Sequence, residues 1–178
     1  QLGGSVTDFN VQIAKLKNAD VDVVFMPVQW SNVPDIVNQA YQSGFEIPFI
    51  GTDGWDALTP GMINADAQKY VVFTSPFTAE STDPISQAYV TEYRSRFSLE
   101  PTGNSTYAYD AALAMIAAIE QAESLAGPAI RDALNNLQDF RGATGQLVFD
   151  ENRNPIKDAN LIGLQDNQKI YLGTLSLN

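Results

Sequence analysis

Between Thr7 and Ser75 the chain alternates helical and strand patterns in short steps, and no other feature limits its fold as much. Phe9, Ile13 and Leu16 fall at helical spacing, and Thr7 or Asp8 offers an N-cap. Val21 to Met26 is β-branched and apolar except for Asp22, the pattern of a buried strand. Ser31 or Asn32 then caps a helix with Pro34 in its first turn. Ile36, Val37, Ala40 and Tyr41 form the apolar face of that helix, and Gly44 ends it. Ile47–Ile50 is the next strand, Ala57–Asn64 a short helix and Tyr70–Ser75 a further strand. Such alternation predicts an α/β fold, a parallel sheet with helices on both faces. Ligands of these sheets sit beyond the carboxyl ends of the strands, which singles out the loops Val28–Asn32 and Thr52–Asp56.

The middle of the chain is helical and has no strand to pack on. Asp83-Pro84 opens a helix to Phe97 with Ile85, Tyr89 and Tyr93 on one face, a core stripe rather than a cofactor contact. An Ala-rich helix runs from Ser105 to Glu123, and Gly127-Pro128 starts another that ends near Leu137. Gln146–Phe149 then reads as a strand. Asn160–Gln165 and Lys169–Leu175 alternate around Asp166-Asn167, the signature of a C-terminal hairpin.

Composition removes several chemistries. With no His and no Cys, a Ser-His-Asp triad, a thiol nucleophile, a disulfide and a Cys-ligated zinc site are all impossible. A net charge of −11 argues against nucleic acid and anionic membranes as partners, and for solubility. Asp150–Asn154 lacks the Gly and Glu positions of a helix-loop-helix calcium site and reads as a solvated turn. Gly51-Thr52-Asp53-Gly54 has neither the spacing nor the Lys of a phosphate loop. No cofactor and no metal is expected, and no catalysis. Gln1–Gly4 shows neither the basic nor the apolar region of a signal peptide.

Four motifs in order resemble the type I periplasmic solute-binding proteins of the branched-chain amino acid ABC transporter family. They are Asp8-Phe9 with Val21–Phe25, then Gly51–Asp56, then Tyr109-Asp110-Ala111-Ala112, and finally Phe140–Gly145 followed by Phe149–Asn152. The resemblance implies two α/β lobes joined by three chain crossings, with the ligand in the cleft between them. It also implies that this chain is the second-lobe portion only, incomplete relative to the two-lobe fold. Residues 1–78 would be a lobe-two α/β segment, 79–140 helices that belong to lobe one, and 141–178 the return to lobe two. Gln1–Gly4 resembles the end of a helix, yet only Ser5 and Val6 stand where the family has a strand and loop. The absent lobe-one half carries the Ser and Thr residues that hold a ligand carboxylate in the family.

By the same resemblance, Asp53 stands where an acidic residue pairs with the ligand's α-ammonium; read alone, Asp before Gly closes a turn or caps a helix. Gln29 and Trp30 stand where aromatic residues line the cleft, and Trp30 fits core packing as well. Trp55 suits either the site or loop packing; Asn104 and Ser105 suit either the cleft or N-capping. The function implied is the substrate-binding component of an ABC transporter. It would bind an amino acid or similar small polar solute by hinge closure and be recognised by the transporter's membrane subunits. The location implied is periplasmic or extracellular, a cell-surface lipoprotein included. A ligand-sensing receptor domain of the same fold is an alternative, and a small carboxylate enzyme using Asp53 and Asp56 another. Self-association of the truncated chain would cover apolar surface left by its orphan helices.

Overall fold

The structure, a computed structural model, describes residues 7–137 and 140–176. The readings of Gln1–Gly4 as a helix end and of Ser5–Val6 as the remnant of a strand lie outside those residues. The chain forms two compact units. One contains residues up to Ser75 together with Leu161–Gly173, the other Pro76–Asn160 and the chain end from Thr174.

In the first unit, α1 (Asn10–Asn18) follows Asp8, whose carboxylate accepts from the Asn10 amide at 3.0 Å. Strand β1 (Val24–Phe25) is much shorter than the Val21–Met26 run. Trp30–Asn32 forms a single 3-10 turn leading into α2 (Val33–Gln42), with Pro34 in the first turn as expected. Asn32 makes no side-chain cap there. Gly44 closes the helix in the left-handed region, at φ 71°. Strands β2 (Phe49–Gly51) and β3 (Val71–Ser75) follow. Between them, in place of the single helix expected over Ala57–Asn64, lie 3-10 turns at Asp53–Trp55, Pro60–Met62 and Ala65–Tyr70.

β1, β2 and β3 pair in parallel, as the alternation predicts, with Val24 opposite Phe49 and Phe49 opposite Val71. That row is the inner face. Phe49, Val71 and Phe73 pack there with Phe9, just before α1, and with Ile13, Ile36 and Val37 of the two helices. Burying each of these larger side chains stabilises the unit by about 1.5–3 kcal/mol. The next row in register, Phe25, Ile50 and Val72, lies on the opposite face. Phe25 is 65% exposed and Ile50 37% exposed, so the expectation of helices on both faces is corrected: among the described residues one face is covered.

The helices expected in the middle of the chain form the second unit: α3 (Pro84–Phe97), α4 (Gly103–Gln121) and α5 (Gly127–Asn135). Asp83 caps α3 by accepting from the Ile85 and Ser86 amides. Strands β4 (Arg141–Gly142) and β5 (Gly145–Gln146) make a small hairpin, and β6 (Val148–Phe149) pairs with β7 (Pro155–Ile156). Residues up to Asn160 therefore group with the helices. The connection between β6 and β7 is a turn, in which Asp150 accepts from the amides of Asn152 and Asn154 at 2.9 and 2.7 Å. The C-terminal hairpin appears as expected, β8 (Ala159–Gln165) and β9 (Gln168–Leu175). Its turn residues Asp166 and Asn167 both have positive φ, 50° and 60°, as a two-residue hairpin requires. This hairpin completes the first unit's sheet, in the order β1-β2-β3-β8-β9.

Candidate functional site

Two loops leave the carboxyl ends of β1 and β2, and in a parallel sheet they gather at one edge. The first carries Gln29 and Trp30, both exposed, Trp30 at 36%. The second begins at Thr52 and turns tightly, the Trp55 amide donating to Thr52 O at 3.0 Å and the Asp56 amide to Asp53 O at 2.9 Å. Asp53 is exposed at the start of this turn.

Trp55 holds the two loops together. Its indole is fully buried, and Nε1 donates to Val28 O at 3.0 Å. The ring packs 6.2 Å from that of Phe73 and lies flat over Gly51, where a Cβ would stand 2.1 Å from Trp55 Cδ2. The structure therefore places Trp55 in the core, beneath the loop, with no surface to offer a ligand. Gln29, Trp30 and Asp53 are brought onto two neighbouring loops whose backbones Trp55 joins.

Behind the second loop lies a polar cluster that the sequence does not announce. Asp56 turns its carboxylate to Ser75, whose hydroxyl donates at 2.9 Å. Lys169 of β9 donates from Nζ to Asp56 O, and its ammonium stands 5.8 Å from the centroid of the Phe73 ring. Burial pushes the Lys169 ammonium below its ordinary value, and the negative charge of Asp56 works against that shift. Gln68, buried beneath the hairpin turn, accepts from the Asn167 amide at 3.0 Å and donates to Asn167 Oδ1 at 2.7 Å. Hairpin β8–β9 is thus tied down at both its turn and Lys169.

Asn104 and Ser105 belong to the second unit. Thr102 caps α4, accepting from the Ser105 amide at 3.3 Å, while Ser105 Oγ accepts from the Thr102 amide at 2.9 Å. This reciprocal capping box occupies Ser105 in helix initiation. Asn104 is exposed in the first turn of α4. Ser105 also borders a groove of about 860 Å³ lined by Ile85, Tyr89, Tyr93, Phe97 and Tyr109. The Tyr89 ring sits 4.7 Å from that of Tyr109 and 5.7 Å from that of Tyr93, so the stripe expected at Tyr89 and Tyr93 is an aromatic stack.

The residues that explain the two later motifs are Asp110 and Gly142. The Asp110 carboxylate, 4% exposed, accepts from the Ala143 amide at 2.7 Å, the Thr144 amide at 2.8 Å and the Thr144 hydroxyl at 2.5 Å. A Cβ at Gly142 would fall 2.3 Å from Asp110 Cγ. Nearby, Ser86 Oγ donates to Ala143 O and Arg141 pairs with Asp83. Hairpin β4–β5 is held by α3 and α4 together.

Over residues 1–169 the chain matches the profile of the periplasmic binding proteins, and it belongs to that family. Among curated proteins, it is 30% identical over 145 residues to the leucine-, isoleucine-, valine-, threonine- and alanine-binding protein of Pseudomonas aeruginosa, covering 81% of this chain and 38% of that protein. Among solved structures, the leucine-binding protein LivK of Thermotoga maritima superposes with a TM-score of 0.86 at 24% identity, over 97% of this chain and 49% of the other. The substrate-binding protein LivJ of Streptococcus pneumoniae, solved with isoleucine, gives 0.80 at 26% identity, over 98% and 49%. The chain thus spans about two-fifths of the curated relatives and about half of the solved structures it matches.

Proposed function

We propose that this chain is part of the substrate-binding component of an ABC transporter, and that the full-length protein binds an amino acid or a similar small polar solute. The observation that carries the reading is the placement of Asp53, exposed on a loop beyond the parallel strands in a chain of the periplasmic binding protein family. Relatives whose names or structures specify leucine and isoleucine support the ligand class. In this reading Asp53 pairs with the ligand's ammonium group, and the pairing strengthens as closure excludes water. Gln29 and Trp30, on the adjacent loop, shape the side-chain pocket. Closure of two lobes about a hinge would present a form that the membrane subunits recognise, in the periplasm or at the cell surface.

The second-lobe assignment draws support from surfaces left bare inside each unit. α4 buries small residues, Gly103, Thr106, Ala114 and Ala118, while Met115, Ile116 and Ile119 are 42%, 52% and 37% exposed. A helix that turns its larger apolar side chains outward has a further layer to cover. Phe25 and Ile50 make the same case for the first unit's sheet. The remainder of a full-length family member would supply both layers, and a second copy of the chain would do so in its absence. The test is Asp53→Ala in the full-length protein, measured by equilibrium binding of L-leucine and L-isoleucine. Loss of a charge-assisted pair should weaken binding about tenfold or more. Unchanged affinity would remove Asp53 from the site.

A further inference from the structure

We infer that Lys169 is a positioning residue for solute binding: it fixes the loop that carries Asp53 by holding the carbonyl of Asp56 from the neighbouring hairpin. This rests on the reading of Asp53 given above. The loop from Thr52 to Leu58 is a string of 3-10 hydrogen bonds, a form with poor intrinsic stability. Its persistence depends on tethers from outside. Trp55 supplies one, to Val28 O, and the Ser75 hydroxyl supplies another, to the Asp56 carboxylate. Neither of these two reaches the Asp56 carbonyl, which stands where the turn that begins at Asp53 ends. Lys169 does so directly, from Nζ to Asp56 O.

An ammonium group withdrawn from water would ordinarily be avoided on a strand, so its placement needs a compensating set of partners. Here three groups face it. The carbonyl of Asp56 accepts a hydrogen bond from it, the Asp56 carboxylate supplies a countercharge, and Phe73 offers a ring at 5.8 Å. The strand that bears Lys169 is itself immobilised, because Gln68 grips Asn167 two residues earlier. A donor on an anchored strand therefore meets a loop whose own hydrogen bonds are of the weaker 3-10 kind.

Lys169→Met and Lys169→Arg in the full-length protein test the inference. Met keeps the aliphatic stem beside Phe73 and removes the donor, whereas Arg retains one. Hydrogen exchange of the unliganded protein should show the Trp55, Asp56 and Leu58 amides exchanging about tenfold faster in Lys169→Met. Amides of β2 and β3 should be unchanged, and Lys169→Arg should restore most of the protection. Dissociation constants for L-leucine should rise about tenfold in the Met variant and recover in the Arg variant. Uniform acceleration across the unit, or none at the loop, would overturn the inference. A loosened loop with unaltered leucine affinity, where Asp53→Ala abolishes binding, would overturn it too. If instead Asp53→Ala leaves leucine binding intact while Lys169→Met loosens the loop and weakens binding, the Asp53 reading fails and the role of Lys169 stands.

Discussion

Replacing Asp110 with Ala should unfold the second unit at a much lower temperature, although the residue sits on a helix and far along the chain from the hairpin it holds. Its carboxylate satisfies two backbone amides and one hydroxyl, and Ala143 beside it is 1% exposed. A hydrogen bond to a charged group contributes about 1.5–3 kcal/mol, and a buried donor left unpaired costs about 1–3 kcal/mol. The three bonds are not additive and the Thr144 hydroxyl can turn to water, so a net loss of about 3–5 kcal/mol is expected. For a chain of this size that corresponds to a fall in Tm of about 10–15 °C, read by calorimetry or circular dichroism. Gly142→Ala should be similarly damaging because its Cβ would meet the Asp110 carboxyl group. Since the collision is with that side chain, adding Gly142→Ala to Asp110→Ala should cost clearly less than Gly142→Ala costs alone. Asp132→Ala, which removes an exposed pair with Arg131, should change stability by less than about 0.5 kcal/mol. A loss below about 1 kcal/mol for Asp110→Ala, or full additivity with Gly142→Ala, would refute the clasp.

Acid should weaken the second unit through Asp83. Burial acts to raise its carboxyl group, but the Ser86 amide, Arg141 and the Ile85 amide outweigh it and hold the group below the usual carboxylate range. A depressed folded pKa stabilises the fold above the unfolded value of about 4, and that contribution is lost as pH falls through the folded value. Urea titrations at pH 7 and at pH 3 should show a smaller acid loss in Asp83→Asn than in the parent, and equal losses would contradict this. Gly51→Ala should destabilise the first unit by about 2 kcal/mol or more, because Trp55 fills the space a Cβ needs. Wild-type stability in that variant would show that Trp55 has another place to go. Trp55→Phe should remove the tether to Val28 O at a cost of about 1–3 kcal/mol, measured by urea denaturation; no change would mean the loops are joined by other means.

Local patterns were readable where a single element decides them. Asp166-Asn167 announces the final hairpin because a two-residue turn with positive φ suits few residue pairs. α2 and α3 follow from their periodicity, their prolines and, in α3, the Asp83 cap, and α4 from its Ala-rich run. What the chain does not disclose locally is what lies across space. Val21–Met26 looks buried because β-branched runs commonly are, yet Val23 and Phe25 are exposed among the described residues. Ala57–Asn64 has helical composition, but Pro60 and Gly61 reduce it to a single 3-10 turn, Pro60–Met62. Around the candidate site, the loop positions of Asp53, Gln29 and Trp30 follow from the order of strands and turns, and all three are exposed there. The burial of Trp55 does not follow in this way, since a tryptophan beside a site and one beneath it read alike. Lys169 and Asp110 act on residues far along the chain, 113 positions away for Asp56 and 33 for Ala143, and no spacing rule connects them.

The central claim is solute binding, and titration calorimetry of the full-length protein with L-leucine and L-isoleucine, alongside the other amino acids, tests it most directly. The account predicts saturable heat with one-site stoichiometry for at least one amino acid. It also predicts a matching stabilisation of about 2.7 kcal/mol at one hundred times the dissociation constant. Binding should weaken about tenfold or more in Asp53→Ala. No heat and no stabilisation with any amino acid would contradict it.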